Sequence, residues 1–438
     1  MIWLAWPVVL AEIGWVLMGI VDTIMVGPLG PAAIGAVGTG STMFFAIMVL
    51  GIGLFYSLDT FVSQSFGANR IDECHRWLLA ALGLAVGVSL VLIAVGLAGT
   101  WCLRFSGINS EVLDILQPYL SRLMWSAPPL LIYAALRRYL QAMNVVRPVM
   151  LAIVVTNVVN LAANWVFIYG HLGVPAFGAV GSAYATIVAR VALAASLWFV
   201  VLRRERRNPS GLHDVSWIVD LPRMWRLVSL GAPAALQVML EVGVFAVAGA
   251  LAGRISPVAL AANQISLNIA SFFFMLPLGL ASAAAVRVGQ AVGRGDHRGV
   301  ARAGRSAFGL AVTIAMVIGV VLLTAPRLLL GLFTTDVHVL GIGTSVLVVC
   351  ALFQPFDALQ TVATGALRGL GDTTSAMASN LAFHWLVGLP IAYFLCFERE
   401  WGVVGLWSGL AISLGLIGVT LLLVWMWRIR RPGRYRVF

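Results

Sequence analysis

Seven ionisable residues stand inside long apolar runs of this sequence: Glu12, Asp22, Asp59, Arg190, Glu241, Asp357 and His384. An ionised side chain at mid-membrane costs at least about 2.5–3.5 kcal/mol on insertion scales, so such residues face a cavity or a partner. Acids outnumber bases in this set, and carboxylates lining a wet cavity attract cations, which points to positively charged cargo. Glu241 falls midway along its run, and Asp357 falls mid-depth within FQPFDALQ. If the two share a cavity, they repel one another. The pair can then hold a proton, or a hard cation such as sodium that prefers oxygen ligands. Gln264 and Asn268, one turn apart, are candidates for further oxygens. The competing use of Glu241 and Asp357 is to help helices associate.

A second candidate cation or proton site lies in the first half of the chain. Asp22 sits near the outer end of its run, and Asn160 and Asn164 lie one turn apart on a later one. Interhelical hydrogen bonding, worth about 0.6 kcal/mol, is the plainer role for the amides. Asp59 stands near the cytoplasmic end of its run, where it can reach water. Glu12 reads as neutral and hydrogen-bonded, Arg190 as a structural partner for one of the acids, and His384 as a satisfied core residue. Most aromatics belong to interfacial belts. Phe274, Phe353 and Phe356 are placed to stack on a flat cation.

Elements able to hold these groups at depth must be membrane helices. The chain of 438 residues is 61% hydrophobic and only 10% charged, against about 45–50% and 25% in soluble domains. Twelve apolar runs lie near 3–26, 40–64, 77–99, 119–143, 148–170, 178–202, 227–251, 258–284, 304–323, 342–367, 376–397 and 402–427; each is about the 20 residues that a spanning helix needs. The first run carries Glu12 and Asp22 without a basic leader, and reads as a membrane helix rather than a removable signal. All 28 basic residues are arginines. No lysine is available for a P-loop or a Schiff base, which argues against ATP-driven transport by this chain alone. Cys74, Cys102, Cys350 and Cys396 are scattered, with no CxxC pair. No HExxH or serine-base set appears, so an enzyme is not expected.

The net charge of +11 would suggest nucleic acid in a soluble protein. Here the arginines gather in short loops on one side, so both termini are expected in the cytoplasm of a bacterial inner membrane, with no nucleic-acid partner. The halves repeat at an offset of 226: Pro7 answers Pro233, Gly27 Gly253, Pro31 Pro257, Gln64 Gln290 and Gly67 Gly293. The expected organisation is an N-terminal six-helix lobe (1–202), a cytoplasmic linker (203–226), a C-terminal six-helix lobe (227–430) and a tail (431–438). Parallel repeats of this kind leave a cavity between halves and indicate a secondary transporter.

VDTIMVG (21–27), VSQSFGA (62–68) with its repeat VGQAVGRGD (288–296), and ALRGLGDT (366–373) together resemble the multidrug and toxic compound extrusion (MATE) family. The resemblance covers nearly the whole chain. It implies an all-α, V-shaped protein with a central cavity that exports organic cations against sodium or protons, works as a monomer and needs no cofactor beyond the coupling ion. Glu241, Asp357 and Gln264 match the cation site of the NorM-like branch, and Asp22, Asn160 and Asn164 match the family's N-terminal-half site. SLDT (57–60) resembles plant and animal relatives and adds weight to Asp59. One departure is Phe353, where that branch often has tyrosine; the lost hydroxyl weakens a tight sodium site and keeps proton coupling open. A lipid-linked sugar flippase of the same superfamily is the main rival, although its cavity should be basic. A major-facilitator carrier ranks lower, because the loop GANRIDECHR (67–76) lacks that fold's G-x-x-x-D-R-x-G-R.

Overall fold

The computed structural model describes residues 2–105, 109–215 and 220–431. The expected tail beyond Arg431, with Arg434 and Arg436, and residues 216–219 of the expected linker lie outside them. Every regular element among the described residues is helical. The first six are α1 (Ile2–Val26), α2 (Pro31–Gly67), α3 (Ile71–Cys102), α4 (110–142), α5 (Arg147–Tyr169) and α6 (Ala179–Arg207). The second six are α7 (Leu221–Ile255), α8 (Pro257–Gly293), α9 (His297–Thr324), α10 (Val337–Gly369), α11 (Thr374–Glu398) and α12 (Gly402–Ile429). Eleven of these are long and apolar enough to cross a membrane. The remaining one, α4, is a continuous helical path tightened into a 3-10 turn at Met124–Ser126. Its second half carries Arg137 and Arg138, which explains its weaker apolar signal.

Helix ends follow local chemistry. Proline opens α2 and α8, where its missing N–H is no loss. Ser256, Asp296 and Asp336 cap α8, α9 and α10 through bonds of 3.1, 2.7 and 2.8 Å to backbone N–H groups. Asp372 does the same for α11, accepting from Ser375 N at 3.1 Å, and is gripped by Arg428 of α12 at 2.6 Å.

The chain forms two compact units, Leu10–Ala235 and Met1–Val9 with Leu236–Phe438. In the second unit, glycine lets helices approach closely, as membrane helices require in place of a hydrophobic driving force. A Cβ on Gly369 would meet Val288 Cβ at 2.9 Å and the backbone of Ala285, so α10 lies directly on α8. The core beside them holds Trp407, whose Nε1–H donates to Asn263 Oδ1 at 2.9 Å and whose ring stacks on Phe353. In the first unit a Cβ on Gly40 would strike Tyr119 at 2.6 Å, which seats α2 against α4. The segment after α6 is pinned there too. Glu205 accepts from the N–H groups of Ser210, Gly211 and Leu212, while His75 bridges Ser210 and Tyr139 at 2.9 and 2.8 Å.

Candidate functional site

In the second unit, α7 and α10 bring Glu241 and Asp357 together. Gln237, one turn before Glu241, donates to its Oε2 at 2.7 Å, and Gln360 donates to its Oε1 at 3.1 Å. Gln360 also hydrogen-bonds the Asp357 side chain, and the two carboxylates feel each other's charge. A single buried carboxamide therefore links both acids. Gln360 is 1% exposed, and its Oε1 has no protein partner. A buried bare acceptor beside two carboxylates calls for a donor or a cation. Local backbone chemistry favours this spot. Pro355, two residues before Asp357, lacks the N–H that would complete the helix there. Trp385 of α11 donates to Leu240 O at 3.1 Å and fixes the turn that presents Glu241.

Gln264 and Asn268 do not join this cluster. Both are exposed side chains on α8, and the amides that reach Glu241 belong to Gln237 and Gln360 instead. The spacing Gln237-x-x-x-Glu241 was available in the sequence as an i, i+4 pair, and Gln360 is one turn beyond Asp357.

In the first unit, Asp22 is 7% exposed and fully engaged. Asn160 and Asn164 donate to its Oδ1 at 3.0 and 2.7 Å, and Thr186 of α6 donates to Oδ2 at 3.1 Å. The sequence reading found the asparagines but not Thr186, whose type and position carry no distinguishing signal. Arg190, one turn after Thr186, is 8% exposed. Its guanidinium lies over the Phe44 ring at 4.4 Å and the Trp15 ring at 5.7 Å, donates to Ser126, and acts on Asp22 through space.

Two further acids are already neutralised. Arg138 binds Asp59 at 3.2 Å, and Arg137 forms an ion pair with Glu12. Asp59 is 0% exposed, so it does not reach water as its sequence position had implied, nor does it share the Asp22 cluster. Arg137 and Arg138 are buried within α4 and so are not among the arginines that mark the basic side. Glu12 is thus salt-bridged, not merely neutral.

The aromatic candidates separate. Phe353 is 6% exposed and stacked in the core on Trp407, so it does not line open space, whereas Phe356 is 42% exposed and Phe274 is half-buried. His384 is buried in a π-helical stretch of α11, with Nδ1 2.7 Å from Ser413 Oγ and Nε2 unpartnered; the sequence reading had taken it as fully satisfied. No cluster of three or more His, Cys, Asp or Glu that could hold a metal occurs among the described residues. Two carboxylates with carboxamide oxygens suit a proton or a hard monovalent cation rather than a transition metal.

The MatE family matches residues 7–166 and 233–394, which repeats the two halves seen in the sequence. A protein of Mesorhizobium japonicum named "Probable multidrug resistance protein NorM" is 34% identical over 434 residues, covering 98% of this chain and 93% of that protein. "Multidrug resistance protein MdtK" of Edwardsiella ictaluri is 31% identical, covering 98% and 95%. The crystal structure of the eukaryotic MATE transporter AtDTX14 superposes with a TM-score of 0.87 at 21% identity, covering 100% of this chain and 98% of that one, and so shares the fold. With the family matched over both halves and relatives this similar along the whole length, the chain belongs to the MatE family of multi-pass membrane transporters.

Proposed function

We propose that this protein is a secondary active exporter of organic cations and drugs, driven by antiport of sodium or protons across a bacterial inner membrane. It works as a monomer by alternating access, with both termini in the cytoplasm. The observation that carries this reading is the Glu241–Gln360–Asp357 cluster, a half-buried and a buried acid bridged by one amide and lacking any arginine in direct contact among the described residues. A partly buried, uncompensated pair of carboxylates is costly unless it takes up a proton or a cation. Ion and cargo must favour different states of the transporter, because equal preference would shift nothing. The names of the NorM and MdtK relatives support drugs as the cargo class. A flippase for lipid-linked sugars would need positive charge for pyrophosphate, whereas the uncompensated buried charge in the second unit is negative.

Reconstitution in proteoliposomes tests this directly. Ethidium movement should be driven by an imposed sodium or proton gradient opposed to it, and should collapse when that gradient is dissipated. Transport indifferent to both gradients, or rescue of a cell-wall precursor defect without any change in drug sensitivity, would refute the proposal.

A further inference from the structure

The Asp22 site and the Glu241–Asp357 site hold similar ligand types but differ in charge balance. Thr186 and Arg190 lie one turn apart on α6, and Thr186 donates directly to Asp22 at 3.1 Å. Arg190 follows one turn after Thr186 on the same helix, and its charge acts on Asp22 through space. Arg190 is 8% exposed and forms no direct ion pair among the described residues; its Nε has no partner. Its contacts are Ser126 and the faces of Phe44 and Trp15, which hold a cation without neutralising it. The first-unit site therefore sums one carboxylate with one fixed guanidinium. Three side chains donate to Asp22, two to Oδ1 and one to Oδ2, while Asn164 Oδ1 has no protein partner.

We infer that Arg190 is a specificity-determining residue that closes the Asp22 site to metal cations, confining any driving metal ion to the Glu241–Asp357 pair. The inference deepens the proposed antiport and rests on that pair being the ion site. A cation entering beside Asp22 would meet a tethered positive charge in a low-dielectric interior, where like-charge repulsion is weakly screened. A permanently protonated arginine cannot step aside by losing its proton.

Binding of radiolabelled sodium to the purified full-length protein in detergent provides the test. Arg190→Gln should bind more sodium than the wild type, whatever the wild-type level, and D22N/R190Q should lose that gain. Arg190→Lys keeps the charge and should match the wild type. Asp22→Asn alone should leave wild-type sodium binding unchanged, and this arm decides the matter if Arg190→Gln does not fold. No gain in Arg190→Gln, or a loss of wild-type sodium in Asp22→Asn, would overturn the inference. Glu241→Gln and Asp357→Asn test the underlying reading separately: if either retains all the sodium that the wild type binds, the ion site has been misplaced, whatever Arg190 does.

Discussion

Asp22 and the Glu241–Asp357 pair are both carboxylate sites dressed with carboxamides, one in each unit, yet their surroundings set them to different tasks. Asp22 is held by three donors, with Arg190 one turn from the third. Glu241 and Asp357 are linked by Gln360 with no guanidinium in direct contact among the described residues, and each site holds one bare amide oxygen, Gln360 Oε1 here and Asn164 Oδ1 beside Asp22. The lesson is that counting acids does not locate an ion site. Counter-charge does. Two of the acids that look anomalous in the sequence, Glu12 and Asp59, are neutralised by Arg137 and Arg138, and a third, Asp22, stands within reach of a guanidinium's charge. What remains uncompensated is the pair in the second unit.

The largest effect should come from that pair. Glu241→Gln or Asp357→Asn should reduce gradient-driven ethidium efflux to the level of empty vesicles while the protein still reaches the membrane. Retained efflux in both would erase the contrast between the sites altogether. Arg138→Met sharpens it from the other side, because it strands Asp59 in the interior. Breaking one partner of a buried pair costs about 3–5 kcal/mol, visible as a lowered unfolding temperature in detergent. Asp59→Asn with Arg138→Met should recover much of that loss, as a structural pair demands.

Gln360→Leu removes the bridge but neither acid. A hydrogen bond to a charged group is worth about 1.5–3 kcal/mol, so ion affinity should change by roughly 10-fold or more, measured by the ion concentration that gives half-maximal efflux. Thr186→Val removes one of three donors to Asp22 and should cost about 1 kcal/mol of stability with sodium binding unaltered. Gln264→Ala and Asn268→Ala should be nearly silent in ion affinity; a loss as large as that of Gln360→Leu would return these two residues to the site.

The helices were legible because their signal is composition over twenty residues, and the duplicated positions at an offset of 226 survive in proline and glycine, which backbone geometry constrains. The acids were legible too, since a carboxylate in an apolar run stands out by type alone. Their partners were not. Arg137 and Arg138 stand near the end of an apolar run, where nothing in the sequence shows that helix packing turns them inward onto α1 and α2. Gln264 and Asn268 had suitable chemistry on a neighbouring helix, but rotation about the helix axis leaves them exposed while Gln237 and Gln360 face Glu241. Phe353 shows the same limit, since the aromatic spacing gave no sign that Trp407 would take its face. A one-residue shift turns a helix by about 100°, so hydropathy finds the element and misses the face.

The central claim is that the Glu241–Asp357 pair holds the ion that cargo displaces. Ethidium added to the purified protein in weakly buffered solution, with released protons followed by a pH dye and released sodium by an electrode, tests it most directly. The wild type should eject protons or sodium on binding ethidium, and Glu241→Gln and Asp357→Asn should eject neither. Undiminished release from both variants, or ethidium binding that leaves the ion in place, would contradict the account.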